Sequence, residues 1–113
     1  MTDQQYQEIW IDKPGGRVMC ALINGNAGWL MYLRYKGDAG FSSRNFDYDG
    51  APSATIDYVL SNGQRDEYPA AWALPIDVVK RALDYFEKEG RPAPFVSWHN
   101  NSGDSEEIEF VPL

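Results

Sequence analysis

The sequence is short of the residues that do covalent chemistry. It holds one histidine, His99, and one cysteine, Cys20. A lone cysteine closes no internal disulfide, so cytoplasmic residence is the expectation. Cys20 lies in the apolar run VMCALI, which predicts a buried, inert thiol rather than a nucleophile. One histidine with one cysteine does not make a metal cluster. There is no glycine-rich loop of the Walker type, because the glycines fall at turns. Ser97, His99 and Asp104 can be written out as a triad, but nothing in their spacing supports one, and adjacency in sequence is not triad geometry. Asp47 and Asp49 would suit acid–base work, yet with 17 acidic residues such pairs are inevitable. No catalytic residue, no metal and no cofactor is therefore expected.

Long hydrophobic runs are missing too. None approaches the ~18 apolar residues of a membrane span. The opening MTDQQYQEIW has neither the basic nor the apolar region of a signal peptide. Basic residues are few: 10 Lys and Arg stand against 17 Asp and Glu, a formal net charge of -7. That argues against direct nucleic-acid binding, which needs a basic face for the phosphates. It fits a protein that binds something basic, or simply a soluble acidic one.

What remains is globular. With 113 residues, 43% of them hydrophobic and 14% aromatic, the chain reads as a single domain over residues 1–113, long enough for a core. Tyr6–Ile11 reads as a strand and Lys13-Pro14-Gly15-Gly16 as a turn. Val18–Ile23 is apolar on both alternating faces, as in a strand covered on each side. After the loop Asn24–Gly28, Trp29–Tyr35 reads as the next strand, with Trp29, Met31, Leu33 and Tyr35 on one face and Leu30, Tyr32 and Arg34 on the other. Lys36–Ser53 shows no periodicity, and its embedded Phe41, Phe46 and Tyr48 predict an ordered surface loop or aromatics tucked into the core. Thr55–Leu60 alternates, Asn62-Gly63 matches a two-residue type I′ turn, and the polar return strand Gln64–Tyr68 ending at Pro69 suits a sheet edge.

One convincing helix follows. Pro75 suits the first helical position and Asp77 the first turn. Ile76, Val79, Ala82, Leu83 and Phe86 form one stripe. Asp77–Arg81 and Asp84–Lys88 are i,i+4 pairs with the acid first. Gly90 and Pro92 stop the helix. Phe95–Trp98 reads as a short apolar strand, and Ile108–Val111 as a weak one. The fold class expected is α+β: an antiparallel sheet of about five or six strands with one main amphipathic helix packed on it.

A binding surface is left as the source of function. Acids and aromatics cluster at Phe46-Asp47-Tyr48-Asp49, and again at Asp66-Glu67-Tyr68 with Trp72 nearby. Phe46, Tyr48 and Trp72 are candidate anchors, and Asp38, Asp47, Asp49, Asp66 and Glu67 candidate electrostatic complements to a basic partner. The plain alternative is a solvated acidic surface over an aromatic core.

Three stretches suggest a family: GRVMCALINGNAGWLMYLRYKGDAGFSSRN, then YDG, then DEYPAAWALPIDVVKRALDYFEKEGRPAPFVSWHNNSGD. Together they resemble the first-numbered family of immunity proteins from bacterial polymorphic toxin systems, in its actinobacterial members. The most telling part runs from Phe86 through Gly90, Arg91 and Pro92 to Val96 and Trp98. The resemblance covers about residues 16–104. It implies a small non-catalytic α+β protein, made beside a secreted toxin, that protects its producer by binding the toxin domain. Some relatives neutralise nucleic-acid deaminase toxins by covering the active site. It implies no contact residue, because members vary on that surface. The expected partner is thus a cognate toxin domain with a basic active-site face, probed by a protein that is a monomer or weak dimer when free and binds no membrane. Other readings stay open: a self-associating structural or adaptor domain, a small-molecule module with Trp29, Trp72 and Trp98 around a pocket, and a small hydrolase.

Overall fold

A strand buried on both faces dictates layers on both sides of it, and that is the plan of this chain. The structure is a computed structural model that describes residues 5–102. Its strands are β1 (Tyr6–Asp12), β2 (Val18–Asn24), β3 (Ala27–Leu33), β4 (Phe41–Arg44), β5 (Thr55–Val59), β6 (Arg65–Pro69), β7 (Leu74–Pro75) and β8 (Ser97–Asn100), with one helix, α1 (Ile76–Glu89), and a 3-10 turn at Ala70–Trp72. The main sheet is antiparallel, in the order β1-β2-β3-β4-β8, and β7 adds a short pairing to β3. The expected fold class is the one observed. The strand expected at Ile108–Val111 lies outside the described residues.

The alternation of β2 and β3 sorts the core into two layers. Met19, Ala21 and Ile23 of β2 join Leu30 and Tyr32 of β3 under α1, where Val79, Ala82, Leu83 and Phe86 of the helical stripe are buried. Cys20, Leu22, Trp29 and Tyr58 form a second cluster on the opposite face, with Met31, Ile56, Tyr68 and Trp72 packed against it. The β5–β6 hairpin is therefore not an edge of the main sheet, as its polar return strand suggested. It is a two-stranded sheet of its own that covers the face away from the helix.

Several local expectations are corrected. Within the stretch expected to be a loop, Phe41–Arg44 forms β4, paired to both β3 and β8. Phe41, Ser42 and Ser43 are all buried, so no alternation marks the strand. Its serines find distant partners: Ser43 Oγ donates to the Trp72 carbonyl at 2.9 Å and Ser42 Oγ to Asn101 Oδ1 at 2.9 Å. The hairpin turn has three residues, since Leu60 N donates to the Gln64 carbonyl and closes Ser61-Asn62-Gly63. Only Gly63 takes a positive φ, at 88°, which is the three-residue hairpin with a glycine in the left-handed position rather than the type I′ turn. Asn62 instead accepts the Gln64 N–H on its side chain.

Pro75 precedes the helix rather than opening it, because it still pairs with Ala27 of β3. The N–H of Ile76 then finds the Asn26 carbonyl at 2.8 Å. Gly90 ends the helix in the left-handed conformation at φ 70°, its N–H on the Phe86 carbonyl. The two acid-first pairs do not close as ion pairs; Arg81 lies over the Phe95 ring, 4.8 Å from its centroid. The last strand begins at Ser97, two residues late, because the Val96 N–H turns back to the Ala93 carbonyl. Phe95 is left outside the strand, edge-on to Tyr85.

Candidate functional site

The hairpin layer is built from stacked planes. Trp29 of β3 and Tyr68 of β6 lie face to face, their centroids 4.6 Å apart and their planes 11° from parallel. Trp72 continues the stack at 6.0 Å and 25°. The Arg44 guanidinium closes it, 3.9 Å from the Trp72 centroid. Such stacking adds about 0.5–1.5 kcal/mol per pair beyond area burial. Arg44 Nη1 is further held by Ser42 Oγ at 2.9 Å and the Ser43 carbonyl at 2.8 Å. Burial lowers the Arg44 pKa from its ordinary value. Among the described residues no carboxylate pairs with it.

This stack links the two acid–aromatic clusters. Asn45 N donates to the Ala71 carbonyl at 2.9 Å, which ties the end of β4 to the turn that carries Trp72. Beyond that tie, Asn45 Oδ1 accepts the Asp47 N–H and its carbonyl accepts the Tyr48 N–H, a hydrogen-bonded turn that lifts Phe46 away from the body. Phe46 is 83% exposed. Asp47 and Asp49 are exposed beside it, with no ionic partner among the described residues. Tyr48 is half-buried and closes its own loop, its hydroxyl donating to the Ala51 carbonyl at 2.8 Å. A groove of about 500 Å³ runs beneath, walled by Arg44, Phe46, Asp47, Pro75, Val78 and Phe95.

The remaining candidates have other surroundings. Asp38 faces inward. Its side chain is 1% exposed and sits 2.8 Å from the Arg34 guanidinium, in a bidentate pair reinforced by the Arg34 N–H. Those hydrogen bonds pull its pKa down to about 2. Its charge is already matched, so it does not face a partner. Asp66 is half-buried, accepts from Gln64 Nε2 at 2.8 Å and lies 3.4 Å from the Tyr68 hydroxyl. Burial, and next the Asp66 charge, raise the Tyr68 pKa. Glu67 is exposed on the outer face of the hairpin, directly across from Asp57, which pairs with Arg65 at 3.2 Å. Trp72 is half-buried, a platform for Arg44 more than a free anchor. Sequence reasoning did not single out Arg44 and Phe95, which wall the groove beside Phe46. Arg44 sits in a stretch without periodicity, and Phe95 read as one more apolar strand residue.

The alternative sites do not assemble. Burial pushes the Cys20 thiol up to about 12, as expected of an inert core cysteine. No three His, Cys, Asp or Glu residues converge as a metal site among the described residues. Trp98 packs on the helix-side core and donates its indole N–H to the Ala93 carbonyl, whereas Trp29 and Trp72 belong to the other layer, so the three tryptophans share no pocket. Asp104 lies outside the described residues. No helix among them is long and apolar enough to cross a membrane.

No curated protein and no solved structure matches the chain. A family model described as "Immunity protein Imm1" matches residues 3–100, which takes in β1 and every element through β8. The chain belongs to the Imm1 immunity protein family, whose role is to bind and neutralise a toxin protein.

Proposed function

We propose that this chain neutralises a toxin that acts on nucleic acid, a deaminase or nuclease, by covering its active-site cleft with the surface around Phe46. One observation carries the reading. An aromatic ring 83% exposed is held out on a hydrogen-bonded turn, beside acids that no described residue neutralises. Contiguous exposed apolar surface marks interaction sites, and Phe46 shares one groove with Pro75, Val78 and the half-exposed Phe95; aromatic anchors in such places dominate interface energetics. The net charge of -7 supports the same reading. A cleft that processes nucleic acid attracts phosphates, so it is basic, and an acidic inhibitor competes with the polyanion for it. Asp47 and Asp49 supply the nearest charge, while Asp66 and Glu67 extend it along the hairpin. Tyr48 and Trp72 hold the loop and the Arg44 stack in place behind them.

The test is co-expression with the toxin-like C-terminal domain encoded next door, followed by co-purification at low and high salt. The expected result is a stable complex in which the toxin is silent, weakened as salt rises. A folded, active toxin that ignores this protein would contradict the proposal for that pair. A complex that leaves the toxin active would contradict occlusion.

A further inference from the structure

The two edges of the main sheet are unlike. The β8 edge is four residues long, whereas β1 runs for seven, YQEIWID, with neither lysine nor proline to discourage another strand. The ladder fixes which backbone groups are free. β1 pairs with β2 in the register Tyr6–Asn24 to Asp12–Val18, and hydrogen bonds continue that register at both ends, from Lys13 N to the Arg17 carbonyl and from Gly25 N to the Gln5 carbonyl. Hydrogen-bonded pairs alternate in an antiparallel ladder. The odd-numbered residues of β1 therefore bond to β2. Tyr6, Glu8, Trp10 and Asp12 point their N–H and C=O groups outward, where none of the described residues receives them.

We propose that a second copy of this chain occupies that edge, β1 against β1, about a two-fold axis at Ile9. The charge pattern selects both occupant and register. With the axis at Ile9, Tyr6 faces Asp12 of the second copy and Glu8 faces its Trp10, so every outward group is paired and no acid meets an acid. An axis at residue 8 sets Glu8 against Glu8. An axis at residue 10 sets Glu8 against Asp12. Like charges directly opposite are destabilising. The side chains agree with the same axis. Ile9 and Ile11 lie on the helix side of the sheet, so Ile9 meets Ile9 and the apolar layer continues across the seam. On the other side Trp10, 50% exposed and donating to Glu8 Oε2 at 2.8 Å, is covered by the second copy. Leu60 and Ser61 wall a groove of about 350 Å³ along Tyr6–Ile9, and Ser61 N–H and Oγ hold Glu8 there. The seam lies across the sheet from β4, so it leaves the surface around Phe46 free and does not depend on the proposed function.

The test uses the full chain. Sedimentation across a concentration series should show a mass rising toward twice 12.8 kDa. Trp10→Pro removes an outward N–H and no bond to β2, so it should keep the melting temperature within a few degrees and abolish the dimer. Trp10→Glu, which leaves the backbone unchanged and sets a carboxylate against Glu8 of the second copy, should do the same. Ile9→Cys then reads the register. Facing residues at a non-hydrogen-bonded position stand ~4.5 Å apart at Cα, within disulfide reach. With oxidised glutathione Ile9→Cys should cross-link to a covalent dimer, while Gln7→Cys and Ile11→Cys should do so only when combined in one chain. The buried Cys20 is silent in all of them. A chain that stays monomeric at high concentration overturns the proposal, and so does an edge that pairs only with added toxin. A dimer that survives both Trp10 variants, or an Ile9→Cys that never cross-links, overturns it as well.

Discussion

The two faces of the main sheet are covered by different chemistry. Under α1 the contacts are mostly aliphatic: Met19, Ala21, Ile23 and Leu30 against Val79, Ala82 and Leu83, with Phe86 edge-on to Tyr32 at 6.0 Å. Under the hairpin they are planar, from Trp29 through Tyr68 and Trp72 to the Arg44 cation. The aromatic stack ends on Arg44, which walls the groove beside Phe46, and the helix-side layer reaches the same groove through Leu74, Val78 and Val96. The first layer holds the sheet together, and the second carries its rigidity out to where a partner would land.

The sharpest way to break that contrast is at Phe86, which is fully buried. Phe86→Ala should destabilise the chain by about 3–5 kcal/mol, measured by urea unfolding, because the helix loses its largest buried ring. The next effect belongs to a site in neither layer. Asp38→Asn removes a carboxylate whose pKa the Arg34 hydrogen bonds hold at about 2 against an ordinary 3.8. A depressed carboxylate stabilises above its unfolded pKa, so its contribution of roughly 2 kcal/mol is present in full above about pH 4. It is lost as pH falls from about 4 to about 2. Stability of the wild type should therefore drop through that window, and Asp38→Asn should flatten the drop. The smallest effect is expected in the aromatic layer. The buried Trp29 indole N–H has no acceptor among the described residues. Trp29→Phe keeps a stacking ring on Tyr68 and removes that orphan donor, which itself costs about 1–3 kcal/mol to bury. The change in melting temperature should be slight; a loss as large as that of Phe86→Ala would mean the stack depends on the indole.

How legible this was in the sequence follows the same division. The helix announced itself because an apolar stripe at helical spacing has no other use, and β2 because six residues apolar on both faces, Val18–Ile23, need two covers. β4 was hidden because its buried serines are satisfied by Trp72 and Asn101, far away in sequence. Asn62-Gly63 misled about turn length because only Gly63 takes a positive φ, while Asn62 keeps a negative one and accepts the Gln64 N–H on its side chain. At the candidate site, the clustering of Phe46, Asp47 and Asp49 and their exposure were legible from an acid–aromatic run in the sequence. Asp38 was misplaced because its partner, Arg34, looked like an ordinary strand-end cation. Arg44 had no signal, since only the fold brings it onto Trp72.

The most direct test is the affinity of the purified toxin domain for wild type, Phe46→Ala and Asp47→Lys, measured by calorimetry with thermal melts alongside. Phe46→Ala should leave the melting temperature unchanged and weaken binding at least tenfold, about 1.4 kcal/mol, and Asp47→Lys should weaken it and reduce its salt dependence. Wild-type affinity in both variants would contradict the placement of the toxin-binding surface around Phe46.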